Sequence, residues 1–149
     1  MVSLNLNDIL GFSQIDFSGS VNAQSQQTNI GPNGVTFTTF WVLGNGQASA
    51  DVGSQNLTLD WSDFDTFSQS ILNHDENTWS FSLSASDGVS TQTSSTIEIA
   101  PDEEQSLSVS LLPLANLNSI EEVYITISAN LPLPGPDAVS EYELSFSVN

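Results

Sequence analysis

Thr78-Trp79-Ser80-Phe81-Ser82-Leu83-Ser84-Ala85-Ser86 is the stretch that decides the fold class. Trp79, Phe81, Leu83 and Ala85 take every second position, and serines fill the positions between. A period of two gathers the apolar set on one face of a strand, whereas a helix would spread it around the whole circumference. The stretch therefore reads as a half-buried β-strand, and Trp79 as a core residue within its inward row. Asp87-Gly88 follows as a hairpin turn signal.

The same period recurs in both directions. Toward the C-terminus, Ile97 and Ile99 end a returning strand before Pro101, and Leu107, Val109 and Leu111 alternate with serines until Pro113. Val123, Ile125 and Ile127 alternate next, and Tyr142, Leu144, Phe146 and Val148 mark a final strand after the Pro132–Pro136 loop. Toward the N-terminus, Phe64, Phe67, Ile71 and Leu72 fit a strand or a helical turn, while Leu57, Leu59 and Trp61 alternate. Gln47–Val52 follows the Gly44-Asn45-Gly46 turn. Val35 to Leu43 is apolar on both faces, the pattern of a central strand. Residues 23–34 are polar and end in the turn Gly31-Pro32-Asn33-Gly34. Ile15 and Phe17 alternate before them, as do Val2, Leu4 and Leu6. Roughly nine or ten short strands spaced about ten residues apart predict an all-β, two-sheet β-sandwich of jelly-roll type. Residues 1–11 read as a strand-forming segment and 12–149 as a single sandwich domain.

Composition narrows the function. The chain of 149 residues holds 18 acids, no Lys, no Arg and one His, for a formal net charge of -18. With no cation to neutralise phosphates, nucleic-acid binding is excluded, and an anionic membrane repels the chain. No stretch is long and apolar enough for membrane insertion. Carboxylates that lie close together must be satisfied by metal ions, backbone amides or water. Without Cys there is no disulfide and no thiolate metal site. The start, MVSLNLNDIL, lacks the positive region of a signal peptide. A signal removed before an added Met1, or another route of export, is expected.

Three segments carry a resemblance. Asp60-Trp61-Ser62-Asp63-Phe64-Asp65 matches an acidic, aromatic turn before a strand. Ile99-Ala100-Pro101 with Gln105–Leu111 matches an apolar-Pro entry into a threading strand, and Leu117–Ile125 an entry into a late strand. Over roughly two thirds of its length the chain resembles the exosortase-sorted (PEP-CTERM) class of secreted bacterial proteins and the related galactose-binding-like jelly rolls. The resemblance implies a jelly-roll sandwich, secretion and a role at the cell surface or in the matrix. The C-terminal sorting tail of that class is missing, which puts anchoring by that route in doubt.

Candidate sites follow from residue type. Asp60, Asp63 and Asp65 are loop acids two or three residues apart, suited to the hard oxygen ligation of a structural Ca2+. The alternative calcium set is Asp16, Asp137 and Glu141, because galactose-binding-like folds hold an ion where first and last strands meet. His74-Asp75-Glu76 reads as a polar turn, since one His and no Cys cannot close a zinc site. Triad and thiol mechanisms lack parts, and the acids read better as calcium ligands than as a glycosidase pair, so no catalytic residue is expected. Phe40 and Trp61 are the candidate sugar-stacking rings, while Trp41 shares a face with Phe37 and reads as core.

The favoured expectation is a non-catalytic extracellular subunit of a filament, sheath or matrix. It would polymerise with copies of itself by strand addition through Val2, Leu4 and Leu6, whose apolar face fits a groove on a neighbouring sheet. Equally, Val2–Leu6 is the first strand of its own sandwich. A carbohydrate-binding module with extracellular polysaccharide as partner is the alternative, and a phage or particle decoration protein a further one.

Overall fold

A computed structural model of the chain describes residues 13–19, 23–31, 34–41, 46–73, 77–131, 139–142 and 146–148, with side chains at Ser49, 51–73 and 77–128. The described elements are all strands: β1 (Ser13–Gly19), β2 (Ala23–Gly31), β3 (Gly34–Trp41), β4 (Gly46–Ser54), β5 (Thr66–Asn73), β6 (Trp79–Ser86), β7 (Thr91–Thr93), β8 (Ile97–Ile99), β9 (Glu104–Ser110), β10 (Glu122–Leu131), β11 (Val139–Tyr142) and β12 (Phe146–Val148). Among the described residues no helix is long and apolar enough to cross a membrane.

One layer runs β1-β4-β10-β6-β7, with β8 also on β6. The sheets β11-β3-β2 and β12-β5-β9 supply the other, and β12 approaches β3 where they adjoin. Among the described residues every pairing is antiparallel. The chain crosses between layers again and again, so neighbours in a sheet are seldom neighbours in sequence. This is the two-layer jelly-roll sandwich that the strand rhythm predicted.

The core lies between the layers. Ile125 of β10 stands opposite Val52 of β4 on one side and Leu83 of β6 on the other, and all three are fully buried. Ile127 opposite Phe81, and Trp79 opposite Ile99, continue the same face. Phe67 and Ile71 of β5 and Leu107 and Val109 of β9 close it from the second layer. Each of these strands contributes its alternate residues, so the period of two in the sequence becomes the two-layer core.

Four segments depart from the sequence reading. The polar residues 23–31 form β2, which pairs with β3 across a hairpin in which Gly31 faces Gly34. The turn was legible, but pairing to β3 makes the strand without apolar alternation. Leu57, Leu59 and Trp61 alternate without forming a strand. Their amides donate to the carbonyls of Glu121, Ile120 and Leu117 at 2.8, 3.0 and 2.6 Å, closing one end of the core. The returning strand after Asp87-Gly88 is split into β7 and β8, with Ser94 between them. The Leu83 amide donates to Ser94 Oγ at 2.9 Å while the Ser94 amide donates to the Leu83 carbonyl at 2.8 Å, so a hydroxyl replaces one carbonyl of the ladder. The final strand is recorded as β11 on β3 and β12 on β5. The ambiguous Phe64–Leu72 stretch resolves as a turn at Phe64, whose amide donates to the Trp61 carbonyl at 2.9 Å, followed by β5.

Candidate functional site

The expected site residues are scattered. Asp60, Asp63 and Asp65 lie exposed in the loop between β4 and β5. Asp60 Oδ1 accepts from the Ser62 amide at 3.0 Å and the Ser62 hydroxyl at 2.6 Å, which lowers its pKa and makes it a turn residue. Among the described residues no group of three or more acids or His gathers to hold a metal ion. The alternative set is divided by topology. Asp16 on β1 is in register with Asp51 in the first layer, and Glu141 on β11 is in register with Thr38 in the second. Among the described residues the first and last strands do not pair: β1 joins β4, β11 joins β3 and β12 joins β5. Asp137, the tripeptide His74-Asp75-Glu76 and the expected assembly residues Val2, Leu4 and Leu6 lie outside the described residues.

Trp61 does not serve as a stacking ring. It is 3% exposed, belongs to the core and packs against Phe67 with ring centroids 5.0 Å apart. The Leu117 carbonyl takes its amide, so the loop that was expected to present the ring folds it inward instead. Phe40 lies on β3 opposite Val139, and its side chain is outside the described set.

A different surface carries the polar chemistry. With Val123, Ile125 and Ile127 turned inward, β10 turns Glu122, Tyr124, Thr126 and Ser128 outward. In register beside them stand Asp51 and Gly53 of β4, and Ser82, Ser84 and Ser86 of β6. Tyr124 is the aromatic of this row, half-buried, with Gly53 opposite on one side and Ser84 on the other. Gly53 is obligatory: a Cβ there would overlap the Val123 carbonyl oxygen and stand 2.7 Å from the Tyr124 Cβ. Ser84 shares the phase of Tyr124 yet is 1% exposed; its register neighbours are Tyr124 and Thr93, and its hydroxyl pairs with that of Thr93 at 2.9 Å. Tyr124 thus stands among residues with little or no side chain.

Two carboxylates flank the ring. Asp51 Oδ1 accepts from the Thr126 hydroxyl at 2.6 Å. Partial burial pushes the Glu122 pKa upward, and the Asp51 charge raises it further. Tyr124, Asp51 and Glu122 were missed because the inward Val123-Ile125-Ile127 row dominates the reading of β10. The signal was a lone aromatic in the outward row Glu122-Tyr124-Thr126-Ser128.

A further carboxylate is structural. Asp87 is 3% exposed, and its pKa is depressed to about 2 by the amides of Ser90 and Val89, with those of Asn116 and Ala115 adding to the effect. The first two donate to Oδ1 at 2.7 and 3.0 Å, and Asn116 donates to Oδ2 at 3.1 Å. In a chain without Lys or Arg, backbone amides take the place of a cation.

No family model matches the chain, the PEP-CTERM class included, and no curated protein matches it. Solved structures do show similarity. The family 11 carbohydrate-binding module of the cellulosomal cellulase Lic26A-Cel5E of Clostridium thermocellum is 14% identical, with a TM-score of 0.44 over 99% of this chain and 94% of that one. The agarase AgWH50C is 15% identical, with a TM-score of 0.45 over 88% of this chain, which spans 21% of the agarase. A structure of carbohydrate-binding modules from the β-sandwich superfamily is 10% identical, with a TM-score of 0.41 over 93% of this chain and 56% of that one.

Proposed function

We propose that the chain is a non-catalytic carbohydrate-binding module that works outside the cell, and that the outward face around Tyr124 holds the sugar. The supporting observation is the placement of Tyr124, a half-buried ring among small side chains, with Glu122 two residues before it and Asp51 opposite the residue two after it. A ring supplies a flat apolar surface for the C–H face of a pyranose, and carboxylates and hydroxyls accept and donate at its rim. The reading departs from the expectation of a filament subunit, whose assembly segment offers no described residue to argue from. Extracellular polysaccharide takes the place of a second copy as the partner.

The test is titration of the whole chain with neutral polysaccharides beside Tyr124→Ala and Tyr124→Leu. Both variants are expected to melt cooperatively and to lose sugar affinity by about tenfold or more, the loss of one good contact. Wild-type affinity in a folded Tyr124→Ala protein would sink the assignment.

A further inference from the structure

We infer that this face selects an uncharged polysaccharide and rejects sulfated or uronic-acid polymers; the inference rests on the carbohydrate-binding reading. Glu122 stands two residues before Tyr124 on the same face of β10, about 7 Å along the strand. Two residues after Tyr124, Thr126 stands opposite Asp51 and donates its hydroxyl to that carboxylate. A sugar seated on the ring therefore meets a carboxylate toward each end of its contact.

Carboxylates are acceptors alone, each with about four lone-pair sites, and a known contact at Asp51 takes one. Such a pair suits the hydroxyl donors of a neutral sugar. A sulfate or carboxylate on the ligand brings no donor and adds like charge. On cationic faces Arg or Lys offsets that charge, but this chain has neither. The Glu122 and Asp51 charges already oppose one another, so a third anion between them is disfavoured at contact range as well as by the net charge of -18.

The experiment titrates the whole chain calorimetrically with agarose oligosaccharides and mixed-linkage β-glucan, and with carrageenan and alginate oligosaccharides. Each is run at ~0.1 M and ~1 M salt, since at the higher value the Debye length is about 3 Å and only contact-range rejection survives. The expected result is binding of at least one neutral ligand, changing less than about twofold with salt, and no binding of either anionic one. An anionic polymer bound at ~1 M salt as tightly as the neutral one overturns the inference and leaves the module reading intact. No binding to any of the four overturns both. The double variant Asp51→Asn, Glu122→Gln is expected to lose neutral-sugar affinity about tenfold while melting no lower than wild type. Undiminished affinity in that folded variant overturns the role given to the carboxylates.

Discussion

Gly53 and Tyr124 face each other across β4 and β10, and the space a Cβ would need at Gly53 is filled by the β10 backbone and by Tyr124 itself. The glycine is a steric requirement of the strand pairing, and it fixes where the aromatic stands. Gly53→Ala is expected to cost about 1–3 kcal/mol through overpacking. It should also weaken sugar binding, because the strand shift displaces Tyr124. Thermal melting and titration on one preparation check both effects; a variant that melts like wild type would contradict the crowding.

Asp87 predicts acid sensitivity. Its folded pKa of about 2 lies below the reference value of 3.8, so its stabilisation is present above pH 3.8 and is lost as pH falls toward 2. Asp87→Asn is expected to melt below wild type at pH 7, with the gap closing by about pH 2. Melting curves across that window are the check, and a gap independent of pH would show that the charge contributes nothing.

Glu122 predicts the opposite sign. Its folded pKa is raised, so the folded state binds the proton more readily, and stability rises as pH falls from neutral through that pKa. Glu122→Gln is expected to melt above wild type at pH 7, with the advantage fading as the wild-type carboxyl takes up its proton. Asp51→Asn should move the Glu122 titration downward, which carbon-detected NMR of its carboxyl reads directly.

Calcium is proposed as a stabilising ion, because 18 acids without Lys or Arg repel one another in the compact state. An ion held only by the folded form raises the melting temperature by mass action, about 2.7 kcal/mol at a hundredfold excess over Kd. A higher melting temperature in calcium than in chelator at matched ionic strength is expected; equal values would end the proposal.

The layered fold was legible wherever one face of a strand is apolar, as in Trp79–Ala85 and Leu107–Leu111, because burial imposes the period directly. It was not legible in β2, whose residues 23–31 are held by pairing to β3 and carry no apolar row of their own. Leu57, Leu59 and Trp61 show the converse: alternation there marks a closing loop that turns inward without joining a sheet. The site was hidden for a related reason. Trp61 drew attention as the larger ring beside acids, yet its size favours burial, whereas Tyr124 lies on the outward phase of a strand whose other phase is strongly apolar. The register of β10 on β4, which sets Tyr124 opposite Gly53 and Thr126 opposite Asp51 and which sequence spacing does not specify, gives Tyr124 its surroundings.

The amide cluster around Asp87 ties the β6–β7 turn to the Asn116 loop, 29 residues away along the chain. In a protein without cysteine, this side chain pins the two ends of the segment that carries β7, β8 and β9 to one another in the folded chain. Its chemistry of release differs from that of a disulfide. Reductants leave it untouched, whereas protons open it, so the tie is indifferent to the redox state of its surroundings and answers instead to their acidity.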